Sequence, residues 1–219
     1  MRKKMSGIEK SQVGDRVYLI GASGHAKVVM DIVGKNKQFI TGVFDRNTAI
    51  NKLLDFVVKP QPSQSWPDDG FYLVCIGDNK IRKKVVEDYA ERLIYTQAIH
   101  PSANVSSYAT IGKGTVVMAG VTINPDASIG KHVILNTNCS VDHECMIGDF
   151  VHISPNVALA GNVSIGEGTH VGIGACVIQG IQIGRWCTVG AGSVIIRDIP
   201  DGATVVGNPG KVIKIKDSI

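Results

Sequence analysis

Residues 105–195 break without remainder into hexads: VSSYAT from Val105, IGKGTV from Ile111, VMAGVT from Val117, INPDAS from Ile123, IGKHVI from Ile129, LNTNCS from Leu135, VDHECM from Val141, IGDFVH from Ile147, ISPNVA from Ile153, LAGNVS from Leu159, IGEGTH from Ile165, VGIGAC from Val171, VIQGIQ from Val177, IGRWCT from Ile183, VGAGSV from Val189, and Ile195. Every hexad opens on Ile, Val or Leu. Two residues before each opener stands a smaller residue, from Ala109 and Thr115 through Val133, Cys139 and Cys145 to Ser193. Side chains two apart in a strand face the same way. Each hexad therefore supplies a short strand with a small and an aliphatic residue turned inward. A helix requires apolar residues at a 3.6 period, and an antiparallel sandwich shows irregular turns. A period of six kept over this length predicts a parallel β-helix.

A longer rhythm gives its cross-section. Glycine follows the hexad opener at Gly112, Gly130, Gly148, Gly166 and Gly184, eighteen residues apart each time. Three strands thus return the chain to the same corner, and the coil is triangular. Glycine there is expected to serve a corner with φ > 0. The hexads make about five coils, and at ~4.8 Å between stacked strands the prism is roughly 25 Å tall.

The other features of the 219-residue chain agree with a narrow prism beside a second compact unit. Aromatics are only 5% of the residues, which suits an interior too slim for rings. The net charge of +4 is mild, and no basic run alternates with aromatics, so a nucleic-acid partner is not expected. The cysteines, Cys75, Cys139, Cys145, Cys176 and Cys187, show no C-x-x-C spacing. Three of them occupy small inward slots, pointing to a reducing compartment rather than a disulfide framework. Met1 to Asp15 reads as a flexible leader, with no apolar h-region of a signal peptide behind its basic residues. No stretch has the length of a membrane span. The expectation is a cytoplasmic protein without membrane insertion.

Between leader and prism, residues 16–99 read as a half-Rossmann βαβ unit. Val17–Ile20 is a strand, Val28–Val33 a helix and Phe39–Phe44 a second strand ending on Asp45. The intervening Gly21-Ala22-Ser23-Gly24-His25-Ala26-Lys27 places free backbone N–H groups at a helix N-terminus, a phosphate cradle formed by Gly21, Ser23 and Gly24. Asp45 stands where a nucleoside-contacting carboxylate is expected. The turn is G-x-x-G, so a purely structural tight turn is the competing interpretation. Phe71–Ile76 makes another strand, and Asp78-Asn79 can cap a helix from Ile81 to about Leu93. The unit is too short for a dinucleotide, and a mononucleotide half-site fits better. After residues 100–199 of the prism, residues 200–219 form a cap rich in Pro and Gly over exposed strand edges.

The opening Y-L-I-G-A-S-G-H-A-K-V-V, the His143-Glu144 pair within unbroken hexads and the closing G-N-P-G-K together resemble the NeuD/PglD type of sugar acetyltransferase. The resemblance covers nearly everything from Val17 to Ile215; only Gly210, where the family usually has alanine, departs from the closing motif. It implies left-handed coils, a homotrimer and acetyl-CoA as co-substrate, with no metal. It also implies a nucleotide-linked amino sugar held by the first domain and an active site between neighbouring prisms. By resemblance, His25 contacts the nucleotide sugar, Asn136 and His152 line the site, and Gly161, Ile173, Ala191 and Gly192 lie along the CoA groove. Lys211 and Lys214 are placed to meet CoA phosphates.

The residues themselves point to the same chemistry. His143 sits between Asp142 and Glu144 at an outward corner, with Asn124-Pro125 and Ala160-Gly161 at the corresponding corners one coil away. Neutral imidazole suits proton abstraction near pH 7, and a carboxylate partner orients the ring and stabilises its cation. His143 is expected as general base, with Glu144 or Asp142 holding its other nitrogen, Glu144 being the one the resemblance favours, and the Gly161 backbone as an oxyanion donor. The reaction expected is N-acetylation of a nucleotide amino sugar for surface-glycan synthesis, a UDP-linked 4-amino-deoxysugar first, with a GDP sugar or O-acetylation of a hydroxyl left open. Two other classes compete. His152 and His170, eighteen apart, would stack on one face and mimic zinc ligands of a γ-carbonic-anhydrase-like lyase, but His132 lies elsewhere in its hexad. A non-catalytic rod would show regular threonine ladders, and the outward positions here are mixed.

Overall fold

The computed structural model describes residues 16–63, 65–89 and 92–216; the expected leader lies outside them. The first unit contains β1 (Arg16–Ile20), α1 (Gly24–Lys35), β2 (Phe39–Asp45), β3 (Lys52–Leu53), β4 (Phe56–Pro60), β5 (Phe71–Val74) and α2 (Asn79–Asp88). Its sheet has the order β3-β4-β2-β1-β5, with β1 parallel to both β2 and β5. The β-branched and aromatic run of β1 is buried on both faces, as a central parallel strand requires. Because β2 and β5 flank β1 on opposite sides, the loops after β1 and β5 form a switch-point crevice at the strands' carboxyl ends. The β3–β4 hairpin, absent from the sequence reading, extends the sheet beyond β2.

The prism is an unbroken run of two-residue strands, β6 (Ala98–Ile99) through β22 (Val194–Ile195). They stack in strict eighteen-residue register: Ile134 pairs with Val116 and His152, and Ser140 with Thr122 and Ala158. Three faces result. Face I carries Ala98, Val116, Ile134, His152, His170 and Thr188, and the cap strands β23 (Ala203–Val206) and β24 (Lys211–Ile215) extend it. Face II runs from Asn104 through Ser140 to Val194, and face III from Thr110 through Met146 to Gln182. Hexad openers such as Val117, Leu135, Val141 and Ile153 are fully buried, each contributing about 2 kcal/mol by burial. Where the small slot is polar, it is satisfied: Thr115 Oγ1 donates to Gly130 O at 2.8 Å and accepts from Val133 N at 3.0 Å.

The glycine expectation needs correction. Gly112, Gly130, Gly148, Gly166 and Gly184 do not have positive φ. Their role is close stacking: a Cβ at Gly166 would lie 2.6 Å from Arg185 N and 2.7 Å from the Gly184 carbonyl carbon. The left-handed position falls two residues later in every hexad from Ile111 on, at Gly114, Gly120, Asp126, His132, Asn138, Glu144, Phe150, Asn156, Asn162, Gly168, Gly174, Gly180, Trp186 and Gly192.

Candidate active site

His143 and Glu144 occupy the edge between faces II and III, between the strands Ser140–Val141 and Met146–Ile147. Glu144 takes the left-handed corner conformation, φ 59°. Its Oε2 lies 3.0 Å from His143 Nδ1. An ionised carboxylate only accepts, so this contact places the ring proton on Nδ1 and leaves Nε2 as the free acceptor. The alternative partner is otherwise engaged: Asp142 Oδ1 accepts from His143 N at 2.8 Å and Asn124 Nδ2 at 2.6 Å. Those two bonds hold the Asp142 carboxyl below the usual range.

One coil on, Gly161 makes room for the imidazole. A Cβ there would sit 2.5 Å from His143 Cε1 and 2.6 Å from Nε2. Gly161 O accepts from Gly180 N at 3.0 Å, whereas among the described residues its N–H donates to no carbonyl. The corner thus offers an outward acceptor nitrogen and a nearby backbone donor, as acyl transfer to a nucleophile needs.

The remaining candidates lie elsewhere on the prism. His152, on face I, is half-buried, and its Nε2 is 3.2 Å from Asn136 Nδ2. Its ring stacks on His170 at 4.8 Å and 18°, and His170 Nε2 is 2.8 Å from Ser154 Oγ. Burial, helped by His170, Arg82 and His25, lowers the His152 pKa to about 3. Asn136, Ile173, Ala191 and Gly192 share the edge between faces I and II, with Ile173 well exposed. In a triangular coil the edge at His143 is opposite face I, and the two candidate edges are separated by one face, roughly 20 Å by strand rise. Lys211 and Lys214 are exposed on β24.

In the first unit, Gly21 N donates to Phe44 O at 2.8 Å, and Asp45 Oδ2 accepts from Ala22 N at 2.7 Å. Asp45 therefore braces the glycine turn with one oxygen, while Oδ1 takes Asn47 N at 2.8 Å. Ser23, the α1 N-cap, makes no side-chain cap bond, which leaves the helix N-terminus open for an anion. His25 is largely buried with Nε2 unpartnered, and burial beside Arg82 lowers its pKa to about 4. A cavity of about 420 Å³ opens nearby between the β5–α2 loop and face I, lined by Gly77, Asn79, Lys80, His152, His170 and Trp186 among others. The structure brings His25, Asn136 and His152 together and His143, Glu144 and Gly161 together, as two separate groups. Sequence reasoning read Asp78-Asn79 only as a helix cap, which Asp78 is, accepting from Ile81 N at 2.8 Å. It missed the place of Gly77 and Asn79 at this cavity, and it missed Arg82. Their polar residues in an otherwise apolar strand–helix junction were the available signal.

An α/β unit with a phosphate-ready turn, docked on a triangular β-helix that exposes a carboxylate-oriented histidine, defines a two-domain hexapeptide-repeat transferase. Comparison with known proteins narrows this. Residues 16–89 match the model of the PglD N-terminal domain. The chain is 36% identical to the acetyltransferase domain of PglB from Neisseria gonorrhoeae, covering 91% of this chain and 100% of that one at a TM-score of 0.86; that domain has also been solved with acetyl coenzyme A. PerB from Caulobacter crescentus, solved with CoA and GDP-perosamine, is 38% identical over 90% of this chain and 97% of its own, at a TM-score of 0.83. A Bacillus subtilis UDP-N-acetylbacillosamine N-acetyltransferase is 38% identical over 127 residues. The chain spans about half the length of that relative, the match covering 51% of it and 47% of this chain. The chain belongs to the NeuD/PglD-type sugar acetyltransferase family.

Proposed function

We propose that this protein is an acetyl-CoA-dependent N-acetyltransferase acting on the amino group of a nucleotide-linked amino sugar, in the synthesis of a bacterial surface glycan. The observation that carries the proposal is the His143 ring, fixed by Glu144 and seated over Gly161. The acceptor amine attacks the thioester carbonyl carbon, its proton passes to His143 Nε2, and Glu144 stabilises the resulting imidazolium. As the C–S bond breaks, the proton is returned to the departing thiolate. General-base assistance of this kind contributes about 10²–10⁴-fold. The Gly161 N–H is the proposed donor to the oxyanion.

Residues 16–99 hold the acceptor, its phosphates at Ser23 and Gly24, with Gly21, whose N–H is taken by Phe44 O, shaping the turn, and with His25 and Asp45 beside the nucleotide. Residues 100–199 do the chemistry, and 200–219 close the prism. His152, Gly161, Ile173, Ala191 and Gly192, with Lys211 and Lys214, line the acyl-donor groove, and Asn136 contacts the acceptor. These positions fall on two edges of one prism, which supports a neighbouring copy supplying the second edge; that the assembly is a homotrimer is what the family resemblance implies. The unpaired cysteines support work in a reducing cytoplasm; no described helix is long and apolar enough to cross a membrane.

Solved and curated relatives name both a GDP and a UDP amino sugar, so the test is a screen of both, with the UDP-linked 4-amino-deoxysugar expected to be best. Wild type should consume acetyl-CoA with one of them and His143→Ala should lose about 10²-fold or more. Mixed trimers of His143→Ala with His25→Ala should recover turnover that neither variant has alone. Near-normal turnover by His143→Ala removes the base assignment; acetylation of sugar hydroxyls but no amine would establish the O-acetylating reading.

A further inference from the structure

Arg82 is 1% exposed, the largest fully buried side chain among the described residues, and no described ion pair includes it. Its guanidinium is spent on carbonyls. Nε donates to His132 O at 2.9 Å, and Nη2 to Phe150 O at 2.7 Å and Asn79 Oδ1 at 2.9 Å. Nη1 donates to Ile76 O at 2.9 Å and Gly77 O at 3.1 Å. Asn79 continues the pattern, its Nδ2 donating to Gly168 O at 3.0 Å.

The three prism acceptors are successive coils of one corner. His132, Phe150 and Gly168 are eighteen residues apart, and each has a left-handed φ, at 54°, 60° and 68°. At this corner the coil-to-coil ladder uses the carbonyl of the preceding residue, as when Phe150 N donates to Lys131 O at 2.9 Å. The left-handed residue's own carbonyl is left to side chains. Asn79-x-x-Arg82, one helical turn apart, therefore meets a row of carbonyls spaced at the ~4.8 Å of stacked strands. Lys83, on the same helix, pairs with Glu167 at 2.5 Å beside this corner.

From this geometry we infer that Asn79 and Arg82 are positioning residues that set the height and orientation of the acceptor domain along the prism. They do so by clamping the β5–α2 loop. The Ile76 and Gly77 carbonyls bound by Nη1 belong to the loop that lines the cavity over His152 and His170. A one-residue slip would carry the acceptor out of line with the acyl donor. The catalytic consequence rests on the proposed acetyltransferase reaction; the docking itself does not.

Arg82→Lys, Arg82→Met and Asn79→Ala test this in the full chain. With the best acceptor, Asn79→Ala and Arg82→Met should lower kcat by roughly 10²-fold, the scale of a 1 Å misplacement, with Arg82→Lys between them and wild type. Titration with CoA alone should keep its affinity and stoichiometry, because the prism is intact. Hydrogen exchange of residues 76–88 should accelerate in the variants while the prism ladder stays protected. Unchanged kcat in all three variants would overturn the inference, as would CoA binding lost in step with kcat, which signals only misfolding. If wild type acetylates no amino sugar, the proposed reaction fails. Exchange then decides the docking: unchanged protection of 76–88 in Arg82→Met overturns it, and local loss of protection upholds it.

Discussion

Gly161→Ala is the smallest change that should disable the site. The new methyl would lie 2.5 Å from His143 Cε1 and 2.6 Å from Nε2, whereas carbon atoms pack at about 3.5–4.0 Å. The ring must retreat by about 1 Å. It can, because the His143 side chain is 57% exposed. Gly161 itself is not in the left-handed region, so alanine brings no backbone strain. Stability should therefore change by no more than about 0.5 kcal/mol. The displaced nitrogen, however, no longer sits where the acceptor proton arrives, and a misplacement of that size costs about 10²-fold, or about 2.7 kcal/mol of transition-state stabilisation. The assay is kcat at saturating acetyl-CoA and acceptor, with a thermal melt and a CoA titration on the same preparation. An unchanged melt with kcat within about twofold of wild type would refute the reasoning, since the ring's seat would then be irrelevant to the reaction.

Glu144→Gln should retain the Nδ1 contact but not the charge that stabilises the imidazolium, and lower kcat about 10–10²-fold with CoA affinity unchanged. The two glycine classes should respond oppositely. Gly166→Ala forces a methyl against Arg185 N and the Gly184 backbone and should cost about 1–3 kcal/mol in a denaturation series. Gly174→Asn, at φ 67° with open space around it, should be nearly silent, because Asn138, Asn156 and Asn162 already occupy equivalent corners. Acid should loosen the protein before its carboxylates titrate. Burial holds His25 and His132 down to about 4 and His152 to about 3, against about 6.5 unfolded. Below pH 6.5 the unfolded chain binds the extra protons, so stability present above that pH is lost as it falls towards 4. At pH 5 this amounts to about 2 kcal/mol for each such histidine. Tm should drop between pH 7.5 and 5, less steeply in His132→Asn, and a flat profile would contradict it.

The prism was legible because its rule is local: Val141 and Ile147 must point inward whatever the rest of the chain does. The rule was less complete at the corners. Gly166 and Gly168 look alike in sequence, yet one yields space to the next coil and the other adopts a positive φ. Only coordinates that stack the coils separate those roles. The His143–Glu144 contact could be anticipated from neighbours in the chain and the resemblance favoured Glu144, but the physical reason, that Asn124 already occupies Asp142, needed the stacked coils. The burial of His25 and the clamp by Arg82 were not legible. The clamp depends on carbonyls 50 to 90 residues away in the chain, and an arginine on a polar helix ordinarily reads as solvated. The β3–β4 hairpin escaped notice because its strands are short and interrupted by charge.

What differs along this prism is therefore not the backbone but which edge a side chain stands on. On the edge between faces III and I, His132, Phe150 and Gly168 offer outward carbonyls, and the first domain docks there through Asn79 and Arg82. The edge between faces I and II carries Asn136 and Ser154, which anchor the stacked histidines of face I. The third edge carries His143 over Gly161 and is turned away from the docked domain. Under the proposed function, a docking contact that fixes the acceptor on one side thus directs it away from the proposed base of its own chain, His143. The same rigid spacing that separates the two within a chain would bring them together between chains, so a monomer held apart at the prism faces should keep the acceptor but only part of the acyl-donor groove, and transfer nothing.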